Sequence, residues 1–200
     1  CWGADTSINE KNYKRGLDCL KSNHGRVLEF VDVEMVLYGY SARVIREWYT
    51  HIGGAPTRLQ ESTRYVDESN FKIVIPTSIK NKAPDAIDRV IETTKVAIKN
   101  MEDAGVPRED IANILPLGME TTIVDKRNLR NLIDMSRNRE CSRALLEFRQ
   151  MFDDIKDALR SISPEWEYIV DNYFKPKCEV LGYCPETRGC GRKPKLESVK

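Results

Sequence analysis

Apolar and polar positions recur along the chain with two different periods, and each period predicts its own kind of element. Apolar residues spaced three and four apart leave one face of a helix apolar. This spacing predicts helices at about 9–21, 42–48, 85–101, 107–114, 127–134, 139–161 and 164–174. Alternation of apolar and polar residues, or a short apolar run, instead predicts a strand. Such patterns occur at 26–38, 71–75 and 121–124.

Capping and turn residues place several of the boundaries between these elements. Ser41 and Asp85 are the residues that we expect to cap the helices that follow them. Residues 53–57, Gly-Gly-Ala-Pro-Thr, predict a loop. Gly105 and Pro107 end the helical pattern that follows Asp85, which is the clearest in the sequence.

The order of the predicted helices and strands indicates an α+β fold. We expect a single compact domain with a small, mainly antiparallel sheet flanked by helices. Residues 1–175 would form this domain. Residues 176–200 are rich in Cys, Gly and Lys, so an irregular tail is predicted there.

Composition indicates a globular protein without an obvious macromolecular partner. Of the 200 residues, 40% are hydrophobic and 32% are charged, with a net charge of +1. This balance gives no sign of a nucleic-acid or membrane surface, and no apolar run reaches the roughly 18 residues of a membrane helix. No signal peptide is recognisable, so a cytoplasmic protein is expected. The sequence opens at Cys1 rather than at a methionine, and a native amino terminus could precede it.

The cysteines predict free thiols in a reducing compartment, because their spacing is uneven and no export signal accompanies them. There are six: Cys1, Cys19, Cys141, Cys178, Cys184 and Cys190. The last three recur every six residues, which leaves three alternatives open: free thiols on a flexible basic tail, a disulfide formed after purification, or a zinc site. Zinc is disfavoured, since structural sites usually pair cysteines two to four residues apart. We therefore predict no metal, and a tail that is dispensable for cofactor binding.

Two polar segments are candidates for chemistry. Residues 51–65 carry glycines, Arg58 and Arg64, which suit a phosphate, although an ordinary solvated turn has the same composition. Residues 127–149 carry six arginines, which form either a cationic wall for a nucleotide or a charged helical surface with partner acids. No Rossmann, Walker, metalloprotease, nucleophile-elbow or kinase motif occurs. The two histidines, His24 and His51, are too few for a histidine-rich metal site.

Four motifs in consistent order resemble the flavin-dependent thymidylate synthases. Ser62-Thr63-Arg64-Tyr65, with His51 upstream, is similar to the family signature of Arg-His-Arg followed by Ser, a small residue, Arg and Tyr. The other three are the segment from His24 to Glu29, the segment Ile114-Leu115-Pro116-Leu117, and Asn128-Leu129-Arg130 followed by Arg139. The resemblance covers about residues 20–175 and implies the fold of the thymidylate synthase complementing proteins.

Several positions depart from the family pattern and indicate a divergent branch. Thr-His-Ile at 50–52 stands in place of Arg-His-Arg. The other departures are Glu47 for a glutamine, Gln60 for an acid, Ala112 for an arginine and Arg26 for a Ser or Thr. Arg26 and Arg58 are candidates for relocated cations.

The resemblance implies methylation of dUMP to dTMP, with FAD as cofactor, methylenetetrahydrofolate as carbon donor and NADPH as reductant. It also implies a homotetramer with shared active sites. The implied FAD contacts are His24, Arg26, Glu29, Thr50, His51, Ile52, Gln60, Asn128 and Arg130. The implied dUMP contacts are Glu47, Gln60, Glu61, Ser62, Thr63, Arg64 and Arg139.

Arg139 matches the catalytic arginine that favours ionisation of the uracil N3, because a fixed cation stabilises the anion. His51 has a plainer alternative as a residue that satisfies carbonyl groups at a helix carboxyl end. Two rival functions remain open. Glu47, Gln60 and Ala112 suggest a related reaction such as hydroxymethylation of dUMP, and Thr50 and Ile52 suggest a non-catalytic nucleotide- or flavin-binding homologue.

Overall fold

A computed structural model describes residues 3–22, 24–66 and 69–199. Cys1 therefore lies outside the described residues. By its internal contacts the chain divides into two units. Unit 1 comprises Cys1–Val33, Gly53–Pro56 and Lys126–Lys200, and unit 2 comprises Glu34–Ile52 and Thr57–Asp125.

Three strands form an antiparallel sheet, and most of each strand belongs to unit 2. They are β1 (Asp32–Ser41), β2 (Thr57–Gln60) and β3 (Glu120–Asn128), with β3 in the centre. Residues alternate between buried and more exposed along β3, where Thr121, Ile123 and Asp125 point inward. This alternation is what a strand with one buried face requires. The expected α+β class with a small antiparallel sheet is confirmed.

Helices of unit 2 cover its apolar core. They are α2 (Ala42–Trp48), α3 (Thr77–Lys82), α4 (Pro84–Asp103) and α5 (Arg108–Ile111). Ser41 caps α2 as predicted, because its side-chain oxygen accepts from the Val44 amide at 3.2 Å. Ile98 of α4 and Ile111 of α5 pack with Phe71 and Met119 in one cluster.

Unit 1 is largely helical. Its helices are α1 (Asn9–Lys21), α6 (Leu129–Arg139), α7 (Leu146–Arg160), α8 (Pro164–Tyr173) and α9 (Lys177–Leu181). One face of α7 is buried, with Phe148 and Phe152 stacked at 5.9 Å between ring centroids. Helix α8 begins at Pro164 after the Ser163 cap, close to the predicted boundary.

Two strand predictions are wrong in part. Residues Gly25–Phe30 form a 3-10 helix, and only the following residues form β1. Val27 and Leu28 are adjacent, and both are at least partly buried. In a strand with only one buried face, adjacent side chains point to opposite faces, so this pair does not fit such a strand. The predicted strand 71–75 makes a single bridge, between Ile73 and Met119. Pro76 follows it and has no amide hydrogen to extend the pairing.

Some helix boundaries also differ from the prediction. Asp85 lies in the first turn of α4, whose cap position is Ala83, because Pro84 already occupies the start of the helix. The helix predicted from Arg127 begins after the Asn128 cap, and Arg127 belongs to β3. The helix predicted at 139–161 is interrupted by the turn at residues 140–145. Neither Gly nor Pro marks that break in the sequence.

The tail contains more structure than the sequence predicted. Helix α9 ends at Gly182, whose φ of +78° is the left-handed conformation usual after a helix. A second short element, the 3-10 turn Leu196–Ser198, lies near the end of the chain. The domain boundary at residue 175 stays a prediction. No helix within the described ranges is both long enough and apolar enough to cross a membrane.

Candidate functional site

Three of the five predicted flavin residues of unit 1 line one large cleft. His24, Arg26 and Arg130 line a cavity of about 970 Å³, together with Arg15 and Asn12. His24 stands between α1 and the 3-10 helix, where its amide donates to the Cys19 carbonyl at 2.9 Å. The cleft therefore carries several cationic side chains and has the volume of a large ligand.

Glu29 holds two of the three arginines that line this cleft. Its Oε1 accepts from Arg130 Nη1 at 2.8 Å, and its Oε2 lies 3.9 Å from Arg26 Nε. All three side chains are substantially exposed, so these pairs orient the arginines more than they stabilise the fold. Glu29 thus orients Arg26 and Arg130.

Asn128, another predicted flavin residue, has a structural role that the sequence did not reveal. It caps α6, since its Oδ1 accepts from the Asn131 amide at 2.9 Å. Its side chain also lies against the Gly54 backbone: a Cβ at Gly54 would be 2.9 Å from Asn128 Cγ and closer still to the amide nitrogen. Gly54 has φ +72°, so the loop requires glycine for two reasons. The side-chain amide group of Asn128 is therefore fixed in place.

The remaining predicted flavin residues belong to unit 2, at and beyond the carboxyl end of α2. Thr50 Oγ1 donates to the Glu47 carbonyl at 2.7 Å. The His51 amide donates to the Trp48 carbonyl at 3.2 Å, which leaves the role of its side chain a prediction, and the Ile52 side chain is 71% exposed. The chain here completes the helix end and leaves an apolar side chain in solvent.

Arg58, proposed as a relocated cation, is held at the same helix end. Its Nη1 donates to the Tyr49 carbonyl at 3.0 Å, and its guanidinium lies 4.5 Å from the centre of the Tyr49 ring. Burial raises the pKa of Tyr49, and the charge of Arg58 acts against that rise. A cation at a helix carboxyl end is favourable.

The nucleotide candidates begin where β2 ends. Gln60 Nε2 donates to Thr121 Oγ1 at 3.3 Å. Glu61 pairs with Thr122 of β3 twice, through its amide at 2.9 Å and through its carboxylate, which accepts the Thr122 amide at 3.2 Å. These contacts fix the start of the candidate anion-binding segment against the central strand.

The Ser62 to Tyr65 motif forms a turn stabilised by its own serine. Ser62 Oγ accepts from the Arg64 amide at 3.3 Å, and the Ser62 carbonyl accepts from Tyr65 at 3.1 Å. Thr63 is half-buried. Arg64 is exposed and pairs with Glu109 at 2.9 Å. An exposed arginine with one carboxylate partner can exchange that partner for a ligand phosphate.

Arg139, the predicted catalytic residue, ends α6 in unit 1. It is half-buried, and its guanidinium lies 4.6 Å from the centre of the Phe148 ring, a cation–π geometry that fixes its plane. It lines a second, smaller cavity of about 230 Å³. The structure places no other predicted nucleotide residue in that cavity's lining.

Sequence reasoning missed a buried polar cluster beside Arg139. Glu140 and Lys156 pair at 3.2 Å with side chains only 11% and 14% exposed. Burial raises the pKa of Glu140, and Lys156 partly offsets that rise. Glu140 Oε1 and Arg149 Nε are buried without a hydrogen-bond partner, and both residues line a polar cleft of about 480 Å³. The only signal in the sequence was that Arg149 is one of the six arginines of residues 127–149.

Within the described ranges, no group of three or more His, Cys, Asp or Glu side chains is arranged to hold a metal ion. The five cysteines that the structure describes are free thiols.

Comparisons with known proteins agree with this arrangement of motifs. The family model for the thymidylate synthase complementing protein matches residues 3–165. The flavin-dependent thymidylate synthase of Nitratidesulfovibrio vulgaris is 30% identical over 90% of this chain and 76% of its own length. The flavin-dependent thymidylate synthase of Pyrococcus abyssi is 30% identical over 100% and 86%, and that of Thermococcus onnurineus is 31% identical over 90% and 75%.

The family model matches most of the length of this α+β chain. The chain therefore belongs to the thymidylate synthase complementing protein family. The resemblance drawn from the motifs is confirmed at the level of the family. The roles of the individual site residues stay predictions.

Proposed function

We propose that this protein is a flavin-dependent thymidylate synthase that converts dUMP to dTMP, with methylenetetrahydrofolate as carbon donor and NADPH as reductant. The observation that carries the proposal is the cleft of unit 1. Three residues implied as flavin contacts line that one cavity: His24 and Arg26 from one motif, and Arg130 from another. Family membership supports the reaction class.

The residues of the cleft fit FAD. Its volume of about 970 Å³ is at the upper end of ligand pockets. Arg15, Arg26 and Arg130 suit the negative pyrophosphate, because the guanidinium group donates in a planar fork. Glu29 keeps Arg26 and Arg130 oriented toward the cavity that they line. Bound FAD would supply the redox chemistry that turns the transferred carbon into a methyl group.

The nucleotide would be held and activated by the chain's own arginines. Arg64 would bind the phosphate of dUMP in place of Glu109, from the turn that the Ser62 hydroxyl stabilises. Arg139 would lie beside the uracil N3, where its charge stabilises the N3 anion and makes C5 more nucleophilic. Stacking on Phe148 would hold the guanidinium in one plane for that contact.

The proposal includes a homotetramer whose active sites combine residues from several subunits. Light scattering of the purified chain should then give the mass of four copies. Mixed tetramers of the Arg64→Ala and Arg139→Ala variants should regain part of the activity. If one site takes Arg64 and Arg139 from different subunits, some sites of a mixed tetramer would contain both wild-type arginines. Inactive mixtures would contradict sites that take Arg64 and Arg139 from different subunits.

The visible absorbance spectrum of the purified protein tests the cofactor. We expect a flavin spectrum after purification or after addition of FAD, and NADPH oxidation that depends on dUMP and methylenetetrahydrofolate. Arg130→Ala should weaken FAD binding, whereas Arg137→Ala, on the same helix and likewise paired with an acid, should not. A protein that takes up no FAD would overturn the proposal.

A further inference from the structure

Four of the five cysteines that the structure describes line one small pocket of unit 1. Cys141 comes from the connection after α6, Cys178 from α9, and Cys184 and Cys190 from the tail. The pocket, here called the thiol pocket, is the cavity of about 230 Å³ that Arg139 also lines. Cys19, on α1, is not among its lining residues and serves below as the reference thiol.

The lining of the thiol pocket is strongly cationic. It includes six cations and one acid: Arg137, Arg139, Arg143, Lys177, Arg188, Arg192 and Glu186. Glu186 is paired with Arg143 at 2.8 Å. Cations around a cysteine favour the thiolate, which is the nucleophilic form. The surroundings therefore favour thiol chemistry.

The four thiols differ in access and in environment. Cys190 is exposed, and hydrogen bonds from the Ser142 hydroxyl and the Arg192 amide lower the pKa of its thiol. Cys178 and Cys184 are buried, and burial raises the pKa of Cys178. Cys141 is half-exposed. It directly precedes Ser142, whose hydroxyl contacts the Cys190 thiol, so Cys141 is the accessible thiol that lies closest to that contact along the chain.

A metal is the less favoured use of these thiols. Although four sulfurs line the pocket, the described chain contains no group of three His, Cys, Asp or Glu side chains arranged for a metal ion. The spacing of the tail cysteines is also wider than that of zinc motifs. An exposed, activated thiol with a second accessible thiol nearby is instead the usual arrangement of an oxidation site.

We propose that the thiol pocket is a peroxide-oxidation site in which Cys190 is the reacting thiol and Cys141 resolves the product as a disulfide. The Cys190 thiolate attacks hydrogen peroxide and breaks the O–O bond, which gives a sulfenic acid and hydroxide. The Cys141 thiolate then displaces hydroxide from the Cys190 sulfur and forms the S–S bond. The two thiol protons and the two hydroxides leave as two waters, and peroxide takes up both electrons.

This inference is independent of the proposed function, because its readout is the mass of peptides. The full chain is treated with hydrogen peroxide, its remaining thiols are alkylated in denaturant, and it is digested with trypsin without reduction. Trypsin places Cys141 in peptide 140–143, Cys190 in peptide 189–192, and both buried cysteines in peptide 178–188. The expected product is peptide 140–143 joined to peptide 189–192, with two hydrogens fewer than the two peptides together.

Matched variants sharpen the test. Cys141→Ser should abolish the joined peptide and leave a Cys190 sulfenic acid that dimedone traps, whereas Cys19→Ser should leave the joined peptide unchanged. The inference is overturned if Cys19 is oxidised as fast as Cys190, or if peptide 189–192 joins peptide 178–188 instead. Stoichiometric zinc in the untreated protein would also overturn it, since the thiolates would then be metal ligands.

Discussion

Arg139 is the residue on which the catalytic proposal depends. Its replacement by alanine removes a charge-assisted contact to the uracil anion, so turnover should fall on the order of a hundredfold or more. The flavin should remain bound, because Arg139 does not line the large cleft of unit 1. The measurement is steady-state dTMP formation beside the flavin spectrum of the same sample.

Arg137→Ala is the control for that variant, since Arg137 is an exposed arginine on the same helix and pairs with Asp134 at 3.0 Å. It should keep most of the activity. Wild-type turnover in Arg139→Ala would remove Arg139 from the mechanism.

Arg64 and Glu109 allow the phosphate contact to be tested from both sides of one ion pair. Arg64→Ala should weaken dUMP binding by tenfold or more and affect FAD binding less, because it removes a charged donor to the phosphate. Glu109→Gln breaks the same 2.9 Å pair but leaves the arginine free for dUMP. It should bind dUMP as well as the wild type or more tightly.

Titration of both ligands into each variant measures these effects. If Glu109→Gln weakened dUMP binding as much as Arg64→Ala does, the ion pair would be structural and the phosphate assignment would be wrong.

At the scale of elements, the loop between α2 and β2 is expected to position Asn128. A Cβ at Gly54 would both strain a φ of +72° and collide with the Asn128 side chain. Gly105 has a similar φ of +76°, but a Cβ there meets nothing within 4 Å. Gly105→Ala should therefore cost about 1 kcal/mol of unfolding free energy, from backbone strain alone. Gly54→Ala should cost more and should also weaken FAD binding.

Denaturant unfolding and FAD titration of the two alanine variants separate the effect of backbone strain from that of the collision with the Asn128 side chain. Equal losses of stability in both, with unchanged FAD affinity in Gly54→Ala, would show that the Asn128 contact does not position the flavin site.

The sequence predicts an element well where a local signal marks it. The helix Asn9–Lys21 and the Ser41 cap agree with the prediction, because apolar spacing and a capping hydroxyl are local properties. The sequence predicts no strand at β2, since its side chains are mostly exposed and show no apolar alternation. Its pairing with the central strand is a tertiary contact that the local pattern does not contain.

The candidate site shows the same limit. The motif residues could be named from the sequence, but their partners could not. The contact between Glu29 and Arg130 spans 101 positions. The second role of Asn128 as a helix cap and as a neighbour of Gly54 also follows only from the fold. These pairings arise when distant segments pack together.

At the scale of the whole molecule, the tail is expected to stabilise unit 1 without holding the flavin. Truncation after Phe174 removes α9, the buried Cys178 and the ion pair between Arg143 and Glu186. We expect a loss of roughly 1–3 kcal/mol of unfolding free energy. FAD binding should persist, because none of the residues lining the large cleft lies beyond Arg130.

Truncation after Gly182 is the matched control, since it keeps α9 and should lose less stability. Thermal unfolding and FAD titration compare the two proteins. A truncated chain that keeps its helical content but no longer binds FAD would show that the tail is part of the cofactor site.

The mass of the nucleotide product distinguishes thymidylate synthesis from the alternative reactions. The purified chain is incubated with dUMP, methylenetetrahydrofolate, NADPH and FAD, and the nucleotides are analysed by mass spectrometry. We expect a product that is heavier than dUMP by one CH₂ and co-elutes with dTMP, and that forms on the order of a hundredfold more slowly with the Arg139→Ala variant. A product heavier by CH₂O would show hydroxymethylation instead, and unchanged dUMP in the presence of bound flavin would contradict the assignment as a thymidylate synthase.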